Sequence, residues 1–268
     1  MRTRVAVVGA SGKTGRAAAD ALLARGAHVV PTGRAEWADL AGALAGCTAV
    51  YVVAPNLHPD EPSFVASVLD AARAAGVGRV VHHSVASPYV PDMPHHVGKA
   101  VAEDLVRRSG LSWTLLQPCA YVQNMVPALR MPEPVLDVAY DPAARFGLVD
   151  LADVGAAAAT VLLEDGHHGA TYELGGPSLV TVDDVAATAS TVLGVPVPVR
   201  RTTPAAWRAG ADGLDPREAD WLAAMFAYYD DHGLPTGPRP LASLLGRDAA
   251  PLLDTLAREL TQESSAPR

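Results

Sequence analysis

Cysteines, aromatic residues and long apolar runs are all scarce in this chain of 268 residues. The two cysteines, Cys47 and Cys119, lie far apart in apolar surroundings, so we expect buried free thiols and neither a disulfide nor a metal site. No apolar run approaches the ~20 residues that a membrane-spanning helix needs. The first residues lead straight into a predicted strand and do not resemble a secretory signal. These observations predict a cytoplasmic protein with no membrane partner and no metal.

Basic residues are outnumbered by acidic ones. The chain has 21 Lys and Arg residues against 29 Asp and Glu, a formal net charge of −8, and lysine is nearly absent. A nucleic-acid partner requires a basic face, so this charge argues against one. The length allows one large α/β domain or one domain with a smaller C-terminal lobe.

A glycine-rich stretch follows an apolar run near the start of the chain. Gly9, Gly12 and Gly15 come after Val5–Val8 and before an alanine-rich helical pattern. This order predicts a strand, a phosphate-binding loop and a helix, in which Gly9 permits the turn, Gly12 lets amides approach a pyrophosphate and Gly15 lets the helix pack closely. A glycine-rich turn without a ligand is the alternative. The other cofactor-binding candidates of the loop are Ser11, Lys13 and Thr14.

The end of the second predicted strand, 27–32, indicates which dinucleotide is preferred. An acid at this position would accept the 2′-hydroxyl of NAD, whereas a cation accommodates the 2′-phosphate of NADP. The sequence places Arg34 there and no acid on the strand end. We therefore expect NADP(H), with NAD(H) less favoured; the alternative is a solvated loop arginine.

Further apolar strands alternate with helices at 47–54, 79–84 and 112–117. This alternation predicts a Rossmann-type, doubly wound parallel sheet, whose ligands bind at the carboxyl ends of the strands. The adjacent His82 and His83 point to opposite faces of their strand and cannot hold one metal ion together. The cofactor-binding candidates at the strand ends are Ala54, Pro55, Asn56, Ser84 and Pro118.

A predicted helix from Pro94 to Gly110 carries His95 and Lys99 one turn apart on the same face. A reductase needs a proton source beside the group that receives the hydride, and an ammonium group can lower the pKa of the proton carrier and hold the nicotinamide ribose. We assign His95 as the proton donor and Lys99 as a catalytic and cofactor-binding residue. A solvated Lys99 with His95 as a helix cap is the alternative.

The second half of the chain is predicted to cover the substrate. We expect a dinucleotide-binding domain over residues 1–126, its sheet completed by parts of 145–175, and a smaller α/β substrate lobe or lid over 127–268, where prolines interrupt the pattern. The candidates for substrate contacts after the fifth strand are Tyr121, Asn124 and Met125. A helical aromatic stripe at 216–231 suggests a lid over an apolar, planar substrate, and 264–268 is predicted to be a disordered tail.

These features resemble the NmrA-like branch of the atypical short-chain dehydrogenase/reductases, including quinone-oxidoreductase-like and isoflavone-reductase-like members. The resemblance implies a Rossmann domain that binds NADP(H) and a C-terminal substrate lobe, and it supports a functional Lys99. The chain departs from short-chain dehydrogenases proper at His95, which stands where they have tyrosine, and from its nearer relatives at Gln117, where arginine is usual. The residues that carry the resemblance are the loop 9–15, Arg34, Lys99 with Glu103, 109–114, Gln117–Pro118, Gln123–Asn124 and 146–155.

The sequence therefore predicts an NADP(H)-dependent oxidoreductase that reduces a small conjugated or aromatic carbonyl, a quinone or a related metabolite. Two other classes stay open: a regulatory protein that senses NADP(H) without turnover, and a non-redox isomerase or cyclase. Neither the substrate nor the choice between monomer and homodimer follows from the sequence.

Overall fold

The computed structural model describes residues 3–261, in which strands and helices alternate through the first half. The predicted tail, 264–268, lies outside these residues. The strands are β1 (Arg4–Val8), β2 (His28–Thr32), β3 (Ala49–Val52), β4 (Arg79–His83), β5 (Ser112–Pro118), β6 (Leu136–Val138), β7 (Ala170–Leu174) and β8 (Val199–Arg201). The helices are α1 (Lys13–Ala24), α2 (Leu40–Leu44), α3 (Glu61–Ala74), α4 (Pro94–Arg107), α5 (Val126–Leu129), α6 (Leu151–Leu163), α7 (Val182–Leu193), α8 (Pro204–Ala209), α9 (Pro216–His232), α10 (Arg239–Leu245) and α11 (Leu252–Thr261).

The main sheet is fully parallel, with the strand order β2-β1-β3-β4-β5-β7. The chain reverses direction across the sheet at β1, which pairs with β2 on one side and β3 on the other. Open α/β sheets bind ligands in the crevice at such a switch point, outside the carboxyl ends of the strands. The topology therefore places a binding crevice beside the glycine loop.

Helices cover both faces of this sheet. One apolar core joins the sheet to α1, α6 and α10, and a second core joins the opposite face to α2, α3 and α4. Both faces of the strands are buried, which explains their continuous runs of valine, leucine and alanine. The predicted doubly wound, Rossmann-type fold is confirmed.

A third apolar core lies in the C-terminal part, and it includes side chains from α7, α9 and α11. The short strands β6 and β8 pair in parallel here. The sequence predicted a loop-rich flap around the prolines of 127–142, where β6 lies, and an edge segment at 195–199, whose last residue begins β8. Pro196 and Pro198 lack the amide hydrogen that a strand needs, so β8 begins at Val199, directly after them.

Helix α3 begins two residues before the predicted start at Ser63. The Asp60 side chain accepts a hydrogen bond from the amide of Ser63, which caps the helix, and Pro62 suits its first turn. The earlier start places Glu61 inside the first turn, where it is buried.

The structure bears on three features considered in the sequence: cysteines, membrane-spanning helices and metal sites. Cys47 and Cys119 are both free and buried, as expected. Among residues 3–261, no helix combines the length and apolar character that crossing a membrane requires. In the same part of the chain, no cluster of three or more His, Cys, Asp and Glu side chains is placed to hold a metal ion.

Candidate active site

The glycine loop turns the chain from β1 into α1 at the carboxyl end of the sheet. Gly9 has a φ of +86°, and a β-carbon there would lie 2.5 Å from the carbonyl oxygen of Val53. A β-carbon at Gly15 would overlap the carbonyl oxygen of Gly9. At Gly12, with a φ of −76°, the nearest protein atom would be 3.5 Å away. The protein itself thus requires glycine at positions 9 and 15, whereas at position 12 only an incoming ligand would.

Arg34 lies at the outer end of the same cleft, just after β2. Within residues 3–261 no carboxylate forms an ion pair with it, since the nearby Glu36 accepts a 2.7 Å hydrogen bond from the amide of Gly33 instead. Trp37 stacks on Phe64 beside it, with ring centroids 4.7 Å apart. This end of the cleft therefore offers a free guanidinium group and an aromatic surface.

The strand ends form the floor of the cleft. The predicted cofactor contacts Ala54, Pro55, Asn56, Ser84 and Pro118 all line it. Ser84 is 3% exposed, and its hydroxyl group has no hydrogen-bond partner among the described residues. An unsatisfied hydroxyl group in a cleft wall is suited to a polar ligand.

Lys99 is buried on α4 and forms an ion pair with Glu61 of α3. Its Nζ lies 2.9 Å from both carboxylate oxygens, and the two residues are 8% and 3% exposed. The fully buried His82 lies 3.9 Å from the same carboxylate. Burial, and then the charge of Lys99, lower the pKa of His82 well below its usual value, so Lys99 is the cation that balances Glu61. The alternative of a solvated Lys99 is wrong.

His95 lies near Lys99 in the cleft and does not cap its helix, because the capping position belongs to Met93. Its ring stacks against Trp221 of α9 at a centroid distance of 6.0 Å. Burial, followed by the charge of Lys99, lowers the pKa of His95 to about 3. The imidazole is therefore neutral at physiological pH, and any proton it donates must be replaced through its other nitrogen.

The predicted substrate residues Tyr121, Asn124 and Met125 line the cleft between the loop and the C-terminal part. Lys13 Nζ donates a 2.5 Å hydrogen bond to Oδ1 of Asn124 and lies 5.4 Å from the centre of the Tyr121 ring. Burial lowers the pKa of Lys13. The two lysines of the chain, Lys13 and Lys99, thus both lie in this cleft.

Sequence reasoning missed two groups of side chains in the site. His83 connects Tyr121 to Tyr51, and Glu61 pairs with Lys99; no local pattern marks either contact, because the partners meet only through the fold. The second group is an aromatic wall where the C-terminal part lines the cleft. Helical spacing in the sequence indicated only its members on α9. This aromatic wall consists of Tyr140, Phe146, Trp207, Phe226 and Tyr229.

The cleft as a whole fits a dinucleotide together with a second molecule. Its volume is about 1640 Å³, larger than the roughly 300–1,000 Å³ of an ordinary small-molecule site. The amide groups at the start of α1 suit a pyrophosphate, Arg34 suits an additional phosphate, and the hydroxyl group of Ser84 lacks a partner. These residues would hold NADP(H).

Comparisons with known proteins agree with this geometry. A family model described as NAD(P)H-binding matches residues 29–165, a little over half of the chain. The NAD(P)H azoreductase of Xenophilus azovorans is 32% identical over 66% of this chain and 62% of its own length. The (4-alkanoyl-5-oxo-2,5-dihydrofuran-3-yl)methyl phosphate reductase of Streptomyces griseus is 32% identical over 72% of this chain and 75% of its own length.

Among solved structures, the fold is similar to that of the NADPH-dependent quinone oxidoreductase from Escherichia coli in complex with NADPH. The TM-score is 0.81 at 24% identity, covering 95% of this chain and 99% of that one. The family model shows an NAD(P)H cofactor, and the related reductases confirm the predicted oxidoreductase class. The chain belongs to this NAD(P)H-binding family, which is consistent with its resemblance to the NmrA-like short-chain dehydrogenase/reductases.

Proposed function

We propose that this protein uses NADPH to reduce a small, neutral, planar acceptor with a conjugated system, such as a quinone or an azo compound. The observation that carries the proposal is one continuous cleft, which is lined both by the glycine loop and Arg34 and by the aromatic wall. A dinucleotide that spans the glycine loop and Arg34 would direct its nicotinamide toward the aromatic wall. Bound there, the reduced nicotinamide supplies a hydride to the acceptor.

At the cofactor end, each group of residues has a distinct task. The loop amides bind the pyrophosphate, and Arg34 binds the 2′-phosphate that distinguishes NADPH from NADH. Ala54, Pro55, Asn56, Ser84 and Pro118 line the path of the nucleotide, and the hydroxyl group of Ser84 gains the hydrogen bond that it otherwise lacks.

Lys99 and His95 act where the two ends of the cleft meet. Two of the three ammonium hydrogens of Lys99 are directed to Glu61, so one is left for a ribose hydroxyl group. His95, neutral in this site, passes a proton to the reduced acceptor through one ring nitrogen while it takes a proton from water through the other. The acceptor thus gains a hydride and a proton, and the cofactor leaves oxidised.

The acceptor end favours a neutral, flat molecule. Met125 and the aromatic wall supply apolar surface, and the arginines of β8 are already paired: Arg200 with Asp137 and Arg201 with Asp230. An acceptor with a phosphate group would compete with these carboxylates for the two arginines. We therefore favour quinone and azo acceptors over the phosphate ester in the name of the Streptomyces relative.

The test is to incubate the purified protein with NADPH and a quinone, an azo dye or a phosphorylated unsaturated lactone, and to follow the loss of NADPH absorbance. We expect the two neutral acceptors to be reduced faster than the phosphate ester. Trp207→Ala, at the acceptor end, should raise KM for the quinone and leave NADPH affinity unchanged. Binding of NADPH without consumption would instead support a regulatory protein, and conversion of an acceptor without consumption would support an isomerase.

A further inference from the structure

Two buried side chains and one partly buried side chain form a hydrogen-bonded chain near the phosphate loop. The hydroxyl group of Tyr51 lies 2.6 Å from Nδ1 of His83, and Nε2 of His83 lies 2.6 Å from the hydroxyl group of Tyr121. Tyr51 is fully buried on β3, and His83 ends β4 on the same face of the sheet. The chain runs from the core to the cleft wall, because Tyr51 packs in the core whereas His83 and Tyr121 line the cleft.

The direction of these hydrogen bonds follows from counting donors and acceptors. Among the described residues, Nδ1 of His83 is the only hydrogen-bond partner of the Tyr51 hydroxyl group. That hydroxyl group must donate to Nδ1, because otherwise its buried proton has no acceptor. Burial and the charge of Lys99 lower the pKa of His83 to about 3, so the ring is neutral and carries its single proton on Nε2.

It follows that Tyr121 accepts a hydrogen bond from His83 and keeps its own proton for another partner. Burial raises the pKa of Tyr121, and a hydrogen bond with Thr14 acts against that rise, so the phenol stays protonated at neutral pH. Thr14 belongs to the first turn of α1, and Lys13 lies over the Tyr121 ring. The hydroxyl proton of Tyr121 is therefore directed toward the end of α1, where the hydroxyl group of Thr14 or a bound anion can accept it.

We propose that Tyr121 is a pyrophosphate-binding residue, whose hydroxyl proton is directed at the bound dinucleotide by the buried pair Tyr51–His83. Lys13, which donates a hydrogen bond to Asn124, supplies a positive charge on the same side. Tyr51 and His83 touch no ligand and act as positioning residues. This assignment differs from the substrate role that the sequence suggested for Tyr121, and it does not depend on which acceptor is reduced.

The test compares three ligands in binding titrations with the wild type and Tyr121→Phe, which keeps the ring beneath Lys13. NADPH and ADP-ribose both contain the pyrophosphate, and adenosine 2′,5′-bisphosphate does not. We expect Tyr121→Phe to lower the affinity for NADPH and for ADP-ribose by the same factor, about tenfold. The affinity for the bisphosphate should not change. A loss of affinity for NADPH alone would place the hydroxyl group at the nicotinamide. Unchanged affinities with slower turnover would place it at the acceptor. Either result would overturn the proposal.

The positioning role of Tyr51 has its own readouts. Tyr51→Phe should lower the affinity for NADPH, as Tyr121→Phe does. The double variant should bind NADPH no more weakly than Tyr121→Phe alone, because both changes remove the same interaction. Additive losses would contradict the coupling. In nitrogen-15 NMR spectra of the wild type, His83 should carry its proton on Nε2 throughout neutral pH, and a proton on Nδ1 would contradict the direction of the chain. Tyr172→Phe is the matched control, since it removes a hydroxyl group bonded to His167 at 2.8 Å outside the cleft.

Discussion

Replacement of Lys99 by methionine should lower the free energy of unfolding by about 3–5 kcal/mol. The substitution keeps the length of the side chain but leaves the carboxylate of Glu61, which is 3% exposed, without its 2.9 Å partner. His82 does not replace the lost cation, because its complete burial, the largest cause of its lowered pKa, is still present in the variant. Chemical denaturation at neutral pH measures the loss.

The double variant Glu61→Gln/Lys99→Met is the matched control. It removes both charges, so no unpaired ion stays buried, and most of the lost stability should return. NADPH-dependent turnover should stay low in both variants, because neither has the ammonium group of Lys99 near His95. Equal stability of the single and double variants would contradict the buried ion pair, and recovery of turnover in the double variant would make Lys99 purely structural.

Acidification from pH 8 to pH 5 should destabilise the protein by at least about 6 kcal/mol, from three histidines to which the fully buried His82 adds in the same direction. Burial lowers the pKa of His83 and His95 to about 3 and that of His96 to about 4, whereas each titrates near 6.5 when unfolded. Below pH 6.5 the unfolded chain therefore binds protons that the folded chain does not, and stability falls as pH falls. At pH 5 each histidine contributes about 2 kcal/mol to this loss.

A loss of this size is comparable with the roughly 5–15 kcal/mol by which domains are stable, so unfolding near pH 5 is expected. Carboxylates do not explain it, because those with a lowered pKa, such as Asp184 with its hydrogen bonds to Thr181, lose their contribution only below their ordinary value of 3.8. Denaturation curves of the wild type and His95→Phe at pH 8 and pH 5 provide the test. The pH-dependent loss should be about 2 kcal/mol smaller in the variant; equal losses would show that His95 titrates normally.

The sequence predicted those parts of the fold that depend on short-range patterns. The glycine loop, the buried parallel strands and Arg34 after β2 are each visible within a dozen residues, because backbone conformation and burial impose local spacing. The opposite orientations of His82 and His83 also followed from strand geometry alone.

Contacts between distant elements did not follow from the sequence. Glu61 and Lys99 are 38 residues apart in the sequence and meet because α3 packs beside α4. The paired residues of β6 and β8 are more than 60 positions apart. A buried charge pair leaves no periodic signal, since each partner reads as an ordinary polar residue of an amphipathic helix. The chain from Tyr51 through His83 to Tyr121 requires the register of three strands, which the sequence does not specify.

The most direct test of the account is a fluorescence titration with NADPH and NADH of the wild type, Arg34→Ala and Gly12→Ala. The wild type should bind NADPH at least about tenfold more tightly, a difference of roughly 1.4 kcal/mol. Arg34→Ala should abolish the preference by lowering the affinity for NADPH alone. Gly12→Ala should stay folded, because its added methyl group has room in the protein, and should bind neither nucleotide. Equal affinity of the wild type for the two nucleotides, or binding of neither, would contradict an NADPH-dependent reductase that recognises the 2′-phosphate through Arg34.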